Sequence, residues 1–196
     1  RHGENLKRRT QTKYTKEEKE IYELEKKELI TQIDIKNKDG TSPIYDSQYK
    51  NAKNIINLLK NPKILFILAY ALTQSGKTGI MIAIIKFYIE SNIIPKSNIY
   101  IITGLSSTGW KNQTKDRFPD CLRHNILHLN NLNDKELIER IKNKKNILII
   151  IDELHIASKS AQTIKNFLEL CNFYNKNNLY KKDIKIIEFS ATPNGN

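Results

Sequence analysis

Short runs of consecutive apolar residues alternate with longer amphipathic runs along most of this 196-residue chain. The runs "KILFILAY" (63–70), "NILIIID" (146–152) and "IKIIEFS" (184–190) show the pattern most clearly. Apolar side chains on consecutive positions are typical of strands buried on both faces, and strand–helix alternation produces a parallel sheet covered by helices. The sequence therefore predicts an α/β domain whose mainly parallel sheet is covered on both faces, in three layers.

The same reading places the other elements. We expect two further strands, at 97–103 and 125–129. We expect helices at 15–35, 46–61, 77–91, 107–118, 133–144 and 159–174. Thr15 followed by Glu18 forms a capping-box pattern at the start of the first helix, and Asn133 or Asp134 would cap the helix at 133–144.

The N-terminal part of the chain differs in composition from the rest. Residues 1–20 are highly charged, and "NKDGTSP" (37–43) is rich in turn residues. We therefore expect residues 1–43 to form a charged arm and an appended helix, and 44–196 to form the main domain. On this interpretation residues 1–36 are too polar to belong to the main core.

Charge and cysteine content limit the class of protein. Lys and Arg number 33 against 21 Asp and Glu, which gives a net charge of +12. Such an excess favours a polyanion partner such as nucleic acid, although an AT-rich coding sequence, which favours Ile, Lys and Asn, explains it equally well.

No apolar run approaches a membrane span, and the isolated Cys121 and Cys171 suit reduced thiols of an intracellular protein. The chain begins with Arg1, so we expect a fragment of a longer protein.

Three polar motifs follow predicted strands directly. "ALTQSGKT" (71–78) follows the first, "DELH" (152–155) ends the strand at 146–152, and "SATPNG" (190–195) closes the last. Ligands of open parallel sheets bind at the carboxyl ends of the strands, so these motifs are expected at one edge. Each motif alone is weak evidence, but the ordered set predicts a single site.

The residue types of these motifs suit a nucleoside triphosphate. A helix N-terminus offers N–H donors and a favourable dipole to phosphates, and Gly76 would let the backbone approach them. Lys77 would reach the β- and γ-phosphates, and the Thr78 hydroxyl would bind Mg²⁺. Asp152 would hold the Mg²⁺, and Glu153 would orient and deprotonate the attacking water.

These residues resemble the first RecA-like domain of superfamily 2 helicases and translocases, in the branch whose second motif reads DExH. The resemblance covers about residues 44–196 and implies a three-layer RecA-like P-loop NTPase fold, with ATP and Mg²⁺ as ligands. It also implies that the strand at 184–190 lies between the strands at 63–70 and 146–152. Gln74 stands where that family usually has glycine. The implied nucleotide-binding residues are Thr73, Gln74, Ser75, Gly76, Lys77, Thr78 and Gly79. His155, Ser190 and Thr192 would couple hydrolysis to movement on nucleic acid.

Two weaker parallels extend the resemblance. Gln48 precedes the first strand, where many such enzymes have a glutamine that reads adenine, although a surface glutamine on a helix fits equally. "TGLSSTGWKNQTKDRF" (103–118) follows the second strand, where the family's nucleic-acid segment lies. Its candidate phosphate ligands are Thr103, Gly104, Ser106, Ser107, Lys111 and Gln113. We interpret Trp110 as a packing residue, and His124 and His128 as structural or exposed.

The resemblance also implies a partner. The family's second RecA-like domain supplies an arginine finger, an element worth about 10³–10⁵ in rate, and half of the nucleic-acid groove. This chain alone is therefore expected to bind ATP–Mg²⁺ and to hydrolyse it very poorly. DNA and RNA are both open as substrates.

Two other functions fit the motifs. The motifs "TQSGKT" and "TPNG" also resemble the Walker A loop and the coupling motif of genome-packaging ATPases of the terminase type. The His of "DELH" and the complete "SAT" favour the helicase. A non-catalytic nucleic-acid-binding module would retain the fold without turnover. The joint presence of Lys77, Thr78, Asp152 and Glu153 argues against that alternative.

Overall fold

A single five-stranded sheet, with every strand pairing parallel, organises the protein. The computed structural model describes residues 12–71, 74–153 and 159–191. The strands are β1 (Phe66–Ala71), β2 (Ile99–Thr103), β3 (Ile126–Leu127), β4 (Ile147–Glu153) and β5 (Ile184–Ala191). Their order is β1-β5-β4-β2-β3, so β5 lies between β1 and β4 although it comes last in sequence.

Seven helices accompany the sheet within the described residues. They are α1 (Lys16–Lys38), α2 (Asp46–Leu59), α3 (Gln74–Ser91), α4 (Ser107–Thr114), α5 (Lys135–Lys142), α6 (Lys159–Leu170) and α7 (Lys176–Lys182). Three short 3-10 segments, Lys96–Asn98, Asp120–Asn125 and Leu129–Asn133, flank β2 and β3. The predicted α/β class and the parallel sheet are confirmed.

Alternate residues of the central strands enter two separate cores. Strand β4 illustrates the rule, since Leu148 and Ile150 pack with α1, α2 and α3. The residues that alternate with them, Ile149 and Ile151, pack with α5, α6 and α7. Both faces of β4 are therefore covered, as its apolar run predicts. The arrangement is compatible with three α/β/α layers.

Helix α1 belongs to the first of these cores. Leu29 and Ile33, one turn apart, are buried in the same cluster as residues of α2, α3 and the sheet. Asp34 also pairs with Lys86 of α3 at 2.8 Å. The expectation that residues 1–36 are too polar for the main core is therefore wrong for this helix. Its predicted start is confirmed, because the Thr15 hydroxyl accepts a hydrogen bond from the Glu18 N–H at 3.1 Å.

Strand β1 corrects a second expectation. Ile67 and Ala69 pack against the first core, but Phe66, Leu68 and Tyr70 are exposed on the opposite face. Strand β1 is an edge strand, and the helices of the second core pack over β4 and β5. The continuous apolar run of β1 thus predicts burial of both faces of the strand. Among the described residues only one of its faces is covered.

Several boundaries also differ from expectation. Helix α3 begins at Gln74 rather than 77, α4 ends at Thr114 rather than 118, and β3 has two residues. The expected helix at 159–174 ends at Leu170, and α7 is absent from the sequence-based assignment. Asp134 is the cap of α5, since its carboxylate accepts from the Glu136 and Leu137 N–H groups. None of the described helices is long and apolar enough to cross a membrane.

Candidate functional site

The strand register brings the predicted motifs to one edge of the sheet. Ser190 of β5 pairs with Tyr70 of β1 on one side and with Glu153 of β4 on the other. Asp152 pairs in turn with Thr103 of β2. The strand that ends in "SA" therefore separates the strand before "GKT" from the strand that ends in "DE", which is the order that the resemblance to RecA-like domains implies.

A buried ion pair spans this edge. Lys77 Nζ of α3 contacts Asp152 Oδ1 of β4, and both side chains are almost fully buried, at 5% and 2% exposed. Among the described residues the Lys77 ammonium is the partner of Asp152 Oδ1. Taking two charges out of water is costly even when they pair, so a buried ion pair at the edge where parallel sheets bind their ligands points to a ligand site.

The N-terminus of α3 lies beside this pair. Because α3 begins at Gln74, Lys77 falls in its first turn, where the first N–H groups have no partner within the helix. Gln74 adopts the helical conformation, which a non-glycine residue accepts readily, so glycine is not required there. Free N–H groups, the helix dipole and one lysine together suit a phosphate group.

Gln48 holds α2 against the start of α3. Its side-chain Oε1 accepts from the Tyr45 N–H at 2.9 Å, and its Nε2 donates to the Gly76 carbonyl at 3.1 Å. The side chain is buried and lies over Gly79, where an added Cβ would stand 2.7 Å from Gln48 Cδ. Gln48 therefore positions the turn at Gly76, and it is not the surface glutamine that one interpretation allowed.

The residues predicted to hold Mg²⁺ offer the right kind of donor. Thr78 and Asp152 are both buried and present a hydroxyl and a carboxylate, which are the hard oxygen ligands that Mg²⁺ takes. Within the described ranges no group of three His, Cys, Asp or Glu side chains forms a metal site. Two protein ligands fit an ion that completes its shell with substrate phosphates and water, as Mg²⁺ usually does.

The predicted nucleic-acid segment is used partly for its own structure. Thr103 is buried and its Oγ1 accepts from the Leu105 N–H at 3.1 Å, and the Gly104 carbonyl accepts from Ser160 Oγ at 3.4 Å. Ser106 caps α4 by accepting from the Gly109 N–H at 3.1 Å. With its side chain fully buried, Thr103 contributes to the fold of this turn, and its role as a phosphate ligand stays a prediction.

The other members of that segment lie outward. Ser107 and Lys111, one turn apart on α4, are exposed, and Gln113 is half-buried. Trp110 is buried and packs on Phe118 with 5.1 Å between ring centroids, which confirms it as a packing residue. His124 is exposed, and the Nδ1 of the half-buried His128 lies 3.3 Å from the Leu105 carbonyl oxygen.

Several predicted site residues fall outside this description. Thr73, His155 and Thr192 lie outside the described residues, as do the side chains of Gln74, Ser75 and Glu153. Sequence reasoning in turn missed a cavity of about 250 Å³ beside α4. Its walls come from α4, the loop at 115–119, Asp120–Asn125, Ile126 and His128, and only the part up to Phe118 belongs to the predicted nucleic-acid segment.

Cys121 and Cys171 are both free thiols, the first half-buried and the second buried. Burial raises the pKa of the Cys171 thiol to about 12. Both lie outside the strand ends that carry the polar motifs, so neither belongs to the candidate site.

No protein-family model, curated protein or solved structure matches this chain.

Proposed function

We propose that the protein is the ATP-binding RecA-like domain of a DExH-type helicase or translocase, and that ATP hydrolysis drives movement on DNA or RNA. The observation that carries the proposal is the buried ion pair of Lys77 and Asp152 at one edge of the sheet, with β5 between the strands that precede and contain them. A lysine from a helix N-terminus and an aspartate from a strand end are the two charges that a triphosphate and its Mg²⁺ require.

In this proposal the contact between Lys77 and Asp152 is the arrangement of the site without a bound nucleotide. Lys77 would exchange the Asp152 carboxylate for the β- and γ-phosphates, and Asp152 together with Thr78 would hold Mg²⁺. Each charge keeps an opposite partner in both arrangements, so neither is left buried and unpaired. Glu153, next to Asp152 at the strand end, would orient the attacking water.

Replacement of Lys77 tests the nucleotide site. Lys77→Ala should abolish binding of a fluorescent ATP analogue in the presence of Mg²⁺, because the cation that neutralises the phosphates is lost. Lys86→Ala is the matched control, since it removes an equal charge from the same helix at a residue paired with Asp34. Equal binding by parent and Lys77→Ala would refute the assignment, and absence of Mg²⁺-dependent binding in the parent would favour a non-catalytic module.

Glu153→Gln tests the catalytic assignment. The variant keeps the shape and hydrogen-bonding capacity of the side chain but lacks the base, so ATP–Mg²⁺ binding should be retained. Turnover, measured together with a second RecA-like domain, should fall by about 10²–10⁴, the usual worth of a general base. Hydrolysis at the parent's rate would show that another group activates the water.

A further inference from the structure

The cavity beside α4 has an apolar floor and a charged rim. Trp110, Phe118, Pro119 and Ile126 supply the floor. Trp110 is fixed there by Phe118, and its carbonyl accepts from the Thr114 hydroxyl at 2.8 Å. Both rings are almost fully buried, so only a small part of each faces the cavity and the floor is a rigid apolar surface on which the edge of a flat ring can rest.

The rim carries side chains of both charges. Lys111 and Arg123 are exposed cations, and Asp116 and Asp120 are exposed carboxylates. Within the described part of the chain none of the four side chains forms an ion pair. The rim therefore offers hydrogen-bond donors and acceptors around the same opening.

Backbone geometry holds this rim in place. Lys115 and Asp116 are consecutive non-glycine residues with positive φ, at 50° and 57°. The Asp116 carbonyl accepts from Lys36 Nζ of α1 at 2.7 Å, which ties the turn to the main core. Such conformations are unfavourable for ordinary residues and are concentrated at functional sites.

We propose that this cavity binds one unstacked nucleobase of a single-stranded nucleic acid, an inference that rests on the proposed function. Ser107 and Lys111 belong both to the cavity and to the segment expected to contact phosphates, so a strand held on α4 passes its opening. Two carboxylates on the rim repel a phosphate but accept hydrogen bonds from the amino group of a base. Adenine, cytosine and guanine, which carry that group, should bind better than thymine or uracil.

The chain's single tryptophan reports on this cavity directly. Trp110 emission should change when single-stranded oligonucleotides of adenine or cytosine bind, because a base would contact the indole. An abasic oligonucleotide of equal length offers the same phosphates and should leave the emission unchanged. A thymine oligonucleotide should give the smaller change and the weaker affinity.

Rim variants give the second measurement. Asp120→Ala, and Asp116→Gly, which suits the left-handed backbone, should each weaken binding of the adenine oligonucleotide by about tenfold. Glu169→Ala removes the same charge at an exposed position of α6 and should strengthen binding slightly, through higher net positive charge.

The outcomes separate the two proposals. Equal emission changes for abasic and base-bearing strands, or equal effects of the rim variants and Glu169→Ala, would overturn the cavity inference while nucleic-acid binding stands. Failure of every oligonucleotide to bind at low salt would overturn the cavity inference together with the nucleic-acid part of the proposed function. Retained ATP binding would then leave the nucleotide site intact.

Discussion

At the residue scale, Gly79 is the position where local preference and tertiary contact oppose each other most clearly. Alanine is favoured over glycine in a helix by about 1 kcal/mol, so Gly79→Ala should stabilise an isolated α3. In the folded protein the new methyl group would meet the Gln48 side chain, which is hydrogen-bonded at both ends. We expect Gly79→Ala to lower the free energy of unfolding by about 1–3 kcal/mol, as overpacking does, measured by denaturant titration.

The double variant provides the control for this prediction. In a Gln48→Ala background the obstacle is gone, so adding Gly79→Ala should raise the free energy of unfolding instead. The same sign in both backgrounds would show that Gln48 does not restrict Gly79.

Residues that meet at the strand ends can be predicted from the sequence, whereas contacts made by other segments cannot. Lys77 and Asp152 are expected together because both follow strands of one parallel sheet, and their contact agrees with that reasoning. The contact of Gln48 with Gly76 joins segments that no periodicity relates. Thr103 is expected to bind phosphate, but only the structure shows that it is fully buried and accepts a hydrogen bond from the Leu105 N–H.

At the scale of elements, α1 depends on a narrow apolar stripe. Leu29 is fully buried, whereas Leu24 of the same helix is 70% exposed. Leu29→Ala should therefore lower the free energy of unfolding by about 2–5 kcal/mol, the usual cost of emptying a core position. Leu24→Ala should change it by less than about 0.5 kcal/mol, as most surface substitutions do. Similar losses for both variants, measured by denaturant titration, would contradict this packing.

The same stripe explains why the sequence suggests an appendage at α1. Ile21, Leu24 and Ile35 are exposed and make up half of the six Leu and Ile residues of the helix, so apolar character alone does not identify its buried face. The average polarity of α1 shows correctly that most of its surface is polar, but it does not show that one side of the helix packs against the main core. For β1 the error is reversed, since an apolar run says that a strand is apolar on both faces but not that a helix covers each one.

At the scale of the whole molecule, Asp183 should shape the dependence of stability on pH. Burial raises the pKa of this carboxyl above its ordinary value of 3.8, the opposing effect of Lys185 being smaller. An acid that binds protons more tightly when folded favours folding below its ordinary pKa, and this contribution is lost as pH rises through the raised pKa. Asp183→Asn should therefore raise the melting temperature at neutral pH, with the gain vanishing in acid.

Two observations indicate that Asp183→Asn leaves the backbone at residue 183 and the hydrogen bond of Lys185 to Ile64 unchanged. Asp183 has φ of 54°, a conformation that asparagine accepts, and Lys185 Nζ keeps its bond to the Ile64 carbonyl at 2.6 Å. Asp39→Asn serves as control, because hydrogen bonds from Thr41 lower the pKa of that exposed carboxyl. A gain in both variants would indicate a general effect of net charge.

The class of fold is accessible from sequence because it depends on periodicity over many residues. Apolar runs alternating with amphipathic ones define a parallel sheet with helices, and errors of a few residues at each end do not alter it. The position of β5 between β1 and β4 is also expected, but from the resemblance of the motifs, since periodicity carries no information on strand order. Helix α7, and which helices cover which face of the sheet, can be read only from the structure.

The central place of β5 has a consequence for how the chain is made. Strands in a sheet lie about 4.8 Å apart, so β1 and β4 leave a gap of roughly 10 Å that only residues 184–191 fill. A ribosome delivers Lys77 and then Asp152 well before it delivers those residues. Until the last strand emerges, β1 and β4 each lack the neighbour that joins them, and the two charges have no fixed separation. The nascent chain therefore cannot bring Lys77 and Asp152 together early, and delivery of β5 itself becomes the step that assembles this edge of the sheet.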